Sequence, residues 1–227
     1  MKTKILDFQQ IEIEKKKIKN MYLRVLPPDG RIHITAPLRV KDEDIDRFII
    51  AKQEWIQKQR ETLLHKKPLQ ELAYVTGEMV PVWGELRTLV VYHTMNRNMV
   101  IADGDSIILK VKKDSTDKQR EQLLNKWYLK ELQQVLPSMI HQWESVIGVT
   151  SSSWKIRDMK TRWGSCNIRS KRVCFNLQLA KKAPKCLEYV VVHELVHLLE
   201  KSHNQIFKGY MDKFLPDWRI TKKELNT

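Results

Sequence analysis

His193-Glu194-Leu195-Val196-His197 sets two imidazoles four residues apart, with a carboxylate beside the first. On an α-helix, residues four apart share one face and lie one turn apart. Both rings can therefore reach a single ion at about 2.0–2.1 Å. Glu194 can hydrogen-bond a water held by that ion, whose pKa the ion lowers, and take its proton. The chemistry on offer is hydrolysis. Five residues are a short pattern that chance can supply, so the reading turns on a third ligand.

A catalytic zinc takes three protein ligands and leaves one position open. Downstream of His197 the candidates are His203, Asp217 and Glu224. On an unbroken helix His203 would point about 240° away from His197, so the helix has to break between them. Ser202-His203-Asn204-Gln205 has the form of a capping box, with Ser202 as N-cap. Phe207, Tyr210, Met211 and Phe214 then form a new apolar stripe, closed by Pro216. One helix should end near Glu200 and another begin near His203, a turn that can bring His203 back over the ion. The ligand spacing is that of the metzincin pattern, although Glu200 stands where that pattern has glycine. Glu224 is the alternative third ligand, in the gluzincin manner. The preferred site is Zn2+ on His193, His197 and His203, with Glu194 as base.

The elements that must position these residues read as α+β. Segments 23–25 and 32–35 look like short strands around Pro27-Pro28-Asp29-Gly30, a turn sequence. Asp42 can cap one helix running to about residue 65, with Ile45, Phe48, Ile49, Trp55 and Ile56 at near-helical spacing. Segments 88–92, 99–102 and 107–111 are strand-like, the last two joined by Asp103-Gly104. Residues 117–147 read as one long helix with Pro137 as the place for a kink. Its buried stripe would be Leu124, Trp127, Tyr128, Leu132, Val135 and Leu136. Strands at 154–159 and 172–178 precede the histidine helix, which Leu187, Val190, Val191, Leu195 and Leu198 would bury. A last helix runs near 205–215. Strands are grouped, with no regular βαβ alternation.

The 227 residues suffice for one large domain or two small ones, and 42% apolar residues suffice for a core. A formal net charge of +14 serves solubility or draws anionic partners such as nucleic acid, nucleotides or acidic membrane surface. Lys and Arg are spread along the chain rather than packed into one arm. Cys166, Cys174 and Cys186 are odd in number and lack CxxC spacing, so no disulfide framework is expected. Residues 1–20 are charged throughout, and no apolar run approaches the ~20 residues of a membrane span. The expected location is the cytoplasm.

The histidine motif followed by His203 resembles the YgjP-like metallopeptidase domain, a relative of the WLM and SprT-like zincins. Arg162-Trp163-Gly164-Ser165-Cys166 is similar to a segment of that family, as are Phe175-Asn176-Leu177, Tyr189-Val190-Val191-Val192 and Leu215-Pro216-Asp217-Trp218. Upstream, Arg24-Val25, Ala36-Pro37 and Trp55-Ile56 resemble its N-terminal half. Ser202 stands where the family usually has asparagine, and serine can still cap. The resemblance implies a zincin-like catalytic half with zinc on His193, His197 and His203 and Glu194 as base. The expected organisation is α+β: a β-rich N-terminal half with one helix over 1–113, and a zincin-like C-terminal half over 114–227.

Other residues carry two readings each. The segment 162–166 reads as a tight turn with a packed Trp163; in the functional version Arg162 binds an anionic substrate group. Cys166 could fill the open metal position as a thiolate. Asn176 could bond a substrate or merely sit on a strand. Tyr189 could support His193 or pack in the core. Asp217 could orient an imidazole or cap a terminus. His33, His65, His93 and His141 are isolated and read as surface or packing residues. The expected function is a zinc-dependent metallopeptidase, its peptide added as a strand along 172–178. The alternative is a metal-dependent nucleoside triphosphate pyrophosphohydrolase or phosphohydrolase. The charge favours it, while the lack of a P-loop and of a carboxylate-rich two-metal cluster opposes it. The partner is then a peptide or an anionic small molecule, and the charge also allows association with nucleic acid. A pure binding module has little use for three ligands and a base.

Overall fold

The computed structural model describes the backbone of residues 2–6, 9–26, 30–65 and 72–226, and the side chains of 11–26, 30–61 and 72–226. Contacts divide the chain into two compact units, Met1–Glu71 and Leu72–Thr227. The boundary expected at 113/114 lies within the second unit, between a sheet and the long helix.

The first unit is a four-stranded sheet with two helices. Its strands are β1 (Lys2–Leu6), β2 (Gln9–Lys16), β3 (Tyr22–Leu26) and β4 (Arg31–Pro37), in the order β1-β2-β4-β3. The charged N-terminus hides two of these strands, because in β2 the isoleucines alternate with Glu12 and Glu14. Ile11 and Ile13 pair with Ile32 and Ile34 of β4 and face inward with them. Ile45, Ile49 and Ile56 from α1 (Asp42–Ile50) and α2 (Gln53–His65) complete this core. The single helix expected over 42–65 is therefore two, interrupted at 51–52, and Trp55 is 43% exposed instead of lining the stripe. Asp42 does not cap; Lys41 holds that position, and Asp42 accepts a bond from Lys15 Nζ at 2.8 Å. The turn residues Pro27, Pro28 and Asp29 and the His65 side chain lie outside the described residues.

The second unit opens with a sheet of β5 (Met79–Val82), β6 (Glu85–His93), β7 (Met99–Asp103) and β8 (Ser106–Val111), in the order β5-β6-β8-β7. Gly104, at φ +51°, makes the expected β7–β8 hairpin turn. Then α3 (Asp117–Ile147) runs unbroken through Pro137 from a Thr116–Gln119 capping box. Its seam is Leu124, Tyr128, Leu132, Leu136, Ile140, Trp143 and Ile147, at steps of four and three. Trp127 packs at its margin, whereas Val135, one position off the seam, is 36% exposed.

A three-stranded sheet follows: β9 (Ser153–Arg157), β10 (Gly164–Asn167) and β11 (Arg172–Asn176), in the order β10-β11-β9. After it come a 3-10 helix (Leu177–Lys181), α4 (Pro184–Val196), α5 (Gln205–Phe214) and α6 (Trp218–Leu225). In α4, Leu187, Val190, Val191, Val192, Leu195 and Val196 are no more than 2% exposed and share one core with Phe175, Leu179 and the α3 seam. Each such burial is worth about 1.5–3 kcal/mol, so the helix carrying the motif is rigidly held. The fold is α+β, β-rich in its first half and helical in its second. No described helix is long and apolar enough to cross a membrane.

Candidate metal centre

His193 lies in the last turn of α4 and His197 is its C-cap. The N–H groups of Leu198, Leu199 and Glu200 then fold back on the carbonyls of Leu195 and Val196, ending the helix. The next helix, α5, starts only at Gln205. The break between the histidines is where the spacing requires it, but the cap is Asn204, not Ser202. Asn204 Oδ1 accepts the Phe207 N–H at 3.0 Å, while the Ser202 N–H donates to Glu200 Oε1 at 2.9 Å. Asparagine caps as well as serine does, and Asn204 directly precedes the first helical residue, so its side chain reaches the N–H of the third. His203 thus lies in the connection and folds back, its Nε2 2.9 Å from His193 Nε2. The nitrogens of His193, His197 and His203 lie within 4.8 Å of one another, and no other such group of metal-ligating side chains occurs among the described residues.

Hydrogen bonds select the nitrogen that each ring presents. His197 Nδ1 meets the Glu200 carbonyl at 3.1 Å. A carbonyl only accepts, so Nδ1 carries the proton and Nε2 keeps its lone pair. His193 Nδ1 faces Tyr189 Oη at 3.5 Å, which leaves its Nε2 turned toward His203. Phe207, buried, packs against all three rings at centroid distances of 4.7–4.9 Å. Burial pushes His193 down to about 3, helped by His197, His203 and the Lys222 charge. Burial, His197 and Lys222 also lower His203. Three imidazoles gathered in this way are the donor set that a divalent ion such as zinc takes.

Glu194 is 5% exposed, and β10 runs directly against it. A Cβ on Gly164 would fall 2.6 Å from Glu194 Oε1 and 2.7 Å from its Cγ. Gly164 therefore does not make the tight turn expected at 162–166. It is a strand residue, and the volume of its missing side chain is filled by the carboxylate. Burial raises Glu194 to about 8, against the pull of the Arg162 charge. Nothing in the sequence marked this contact except a glycine in a segment otherwise read as a turn.

Asn176 is buried, and its amide is taken up by backbone groups. Its Nδ2 donates to the carbonyls of Met159 and Arg162 at 2.7 and 2.6 Å, and its Oδ1 accepts the N–H groups of Met159 and Gln178. It clamps the irregular segment 158–163 that delivers Arg162 and Gly164 to the site. Cys166 stands outside the histidine group, and burial together with the Glu194 charge pushes its thiol up to about 11. Glu224 pairs with Lys185 Nζ at 2.6 Å and stands outside the histidine group. Asp217 stands at the start of α6 without a side-chain capping bond. His93 and His141 are exposed, and His33 lies 3.7 Å from Glu14. The peptide strand expected along 172–178 has no room: β11 is the middle strand, paired residue for residue on both sides.

A family model, the YgjP-like metallopeptidase domain, matches residues 19–227. The chain belongs to this family. The YgjP-like protein is therefore a member of a metallohydrolase family, and its histidine group is a site that could hold the metal such a family implies. It is similar to two solved metallopeptidase zymogens, abylysin of Pyrococcus abyssi and jannalysin of Methanocaldococcus jannaschii. Identities are 17% and 18%, each with a TM-score of 0.35, covering 39% of this chain and 94% and 91% of theirs. No curated protein matches the chain.

Proposed function

We propose that the YgjP-like chain is a zinc-dependent peptidase in which His193, His197 and His203 hold the metal and Glu194 is the general base. The observation that carries this reading is the convergence of three imidazoles within 4.8 Å beside a buried carboxylate. When bound, zinc would polarise the scissile carbonyl and lower the pKa of a water. Glu194 takes the proton of that water and returns it to the leaving amine, and burial, by raising its proton affinity, favours holding the proton between the two steps. Tyr189 and Glu200 hold His193 and His197 with Nε2 toward the site.

The substrate pairs with β10. The Asn176 N–H bonds the Trp163 carbonyl at 2.9 Å, which sets the phase of the antiparallel pair. Ser165 and Asn167 therefore also turn their N–H and C=O toward β11, and those of Gly164 and Cys166 point to the open edge. A peptide added there as a strand passes Glu194 closely, because position 164 has no side chain.

Metal analysis and turnover test this reading together. His203→Ala should lose one equivalent of zinc, and Glu224→Ala should keep it. Glu194→Gln should keep the metal and lose about 10²–10⁴-fold in peptide hydrolysis. Zinc retained in His203→Ala and lost in Glu224→Ala would sink the ligand set.

A second reading, hydrolysis of nucleoside triphosphates, is favoured by the charges that act on the site. Arg162 acts on Glu194, and Lys222 on His193 and His203. A panel of unfolded protein, peptides and triphosphates separates the two. Triphosphate turnover without peptide cleavage, abolished by Glu194→Gln, would replace the first reading with the second.

A further inference from the structure

Of the net charge of +14, a share of +6 lies in one stretch of the chain. Residues 153–176, the three strands β9 to β11 and their connections, contain seven Lys and Arg against one acidic residue, Asp158. Trp154 and Ile156 pack into the core, so the alternation of β9 turns Lys155 and Arg157 to the other face, where both are exposed. The β9–β11 register sets Arg172 beside Ser153 and Cys174 beside Lys155, which puts Arg172 on that same face. Arg169 and Lys171 are exposed in the turn between β10 and β11, and Lys160 and Arg162 are exposed in the segment after β9. None of the seven forms an ion pair among the described residues. Asp158 is bonded to Gln178 Nε2 at 2.9 Å.

So many like charges on one small sheet repel one another and contribute nothing to folding. A polyanion relieves that repulsion and releases its own counterions on binding. The face carries cations and small polar groups and no aromatic side chain, so it offers no platform on which unpaired bases could stack. Contact through phosphates alone suits a duplex, whose bases are already stacked within it.

We propose that the outer face of the β9–β11 sheet, with the turn at 168–171, is a docking surface for double-helical nucleic acid, held through its phosphates without base readout. The test is fluorescence anisotropy of a labelled 20-base-pair DNA duplex with the full-length protein, titrated across salt concentration. Each phosphate neutralised contributes about 0.9 to the slope of log K against log salt. The triple variant Lys155→Ala/Arg157→Ala/Arg172→Ala should flatten that slope by about 2 to 3 and weaken binding at least ten-fold at 0.1 M salt. Lys118→Ala/Lys126→Ala/Lys130→Ala removes the same charge from exposed positions on α3 and should leave the slope nearly unchanged. Circular dichroism checks the fold of both. Arg157→Gln and Arg172→Gln, each flattening the slope by about 0.9, carry the test if the triple variant unfolds. Equal losses in the two triple variants would overturn the proposal, as would no duplex binding. So would tighter binding of a single strand of equal length, or competition by polyglutamate as effective as by DNA.

Discussion

Alanine at position 164 separates the chemistry of Glu194 from the metal site beside it. The added Cβ would lie 2.6 Å from Oε1, 2.7 Å from Cγ and 2.9 Å from Cδ of Glu194. Ordinary contact begins at 3.4 Å, so the carboxylate must retreat by about 0.8 Å. Spinning the carboxyl group does not suffice, because Cγ is blocked as well, and at 5% exposure the side chain has little room to move. Misplacing a reacting group by about 1 Å costs roughly 10²-fold, or about 2.7 kcal/mol in the barrier. Gly164→Ala should therefore lower kcat and kcat/KM for a peptide substrate together by about 10²-fold. The three atoms nearest the new Cβ all belong to Glu194 and none to a histidine, so zinc content should stay at one equivalent. The melting temperature should move only a few degrees, because the clash is partly offset by the about 0.5–1 kcal/mol that alanine gains over glycine in a strand. Steady-state kinetics, metal analysis and thermal unfolding of one preparation decide it. Wild-type kcat in Gly164→Ala, or loss of zinc along with activity, would refute the packing argument.

Three further outcomes follow from named contacts. Tyr189→Phe removes the group facing His193 Nδ1 at 3.5 Å and keeps the ring stacked on Trp218, so chelator competition should show about 10–100-fold weaker metal binding at nearly unchanged melting temperature; unchanged affinity would remove Tyr189 from the site. Asn176→Ala leaves buried carbonyls and N–H groups of 159–162 unpaired and should cost about 3 kcal/mol in denaturant unfolding, with Asn176→Asp worse because its carboxylate faces two carbonyl oxygens; a cost under about 1 kcal/mol would contradict the clamp. Hydrogen bonds from Arg219 and Trp218 hold Asp212 below its ordinary value of 3.8 in the folded chain. Its contribution is thus complete above that value and lost as pH falls through the lower folded-state value, so the melting-temperature gap between wild type and Asp212→Asn should be flat near neutrality and close in acid. A gap that widens in acid would reverse the sign of the coupling.

The parts of the site legible in the sequence are those governed by helical periodicity. Two histidines at i and i+4 share a face wherever the helix forms, and a third six residues on forces a break. The cap was less legible, because Ser202 and Asn204 are both capping residues and only the path of the chain decides which one meets an orphan N–H. The strand β2 was hidden for a different reason. Its run of Lys, Glu and Gln draws the eye to charge, while the every-second-residue isoleucines that bury it are only two, Ile11 and Ile13. The split of the helix expected over 42–65 has no proline or glycine to announce it.

The position of the substrate edge shows how a sequence pattern can be read one step short. Val173, Cys174, Phe175 and Asn176 are all buried, without the alternation of a strand that has one wet face. A run of that kind is what a strand shows when it has neighbours on both sides, in the middle of a sheet. Such a strand has no free N–H or C=O to offer a peptide, so naming it as the docking strand contradicted its own pattern. The edge had to be a neighbour with weaker signals, and β10 supplies them. It is four residues, Gly, Ser, Cys and Asn, none of them β-branched or aromatic, ordered by pairing with β11 rather than by propensity. The same weakness is what the site requires. Only a residue without a side chain lets an edge strand lie against Glu194, and only an edge strand keeps backbone groups open beside it.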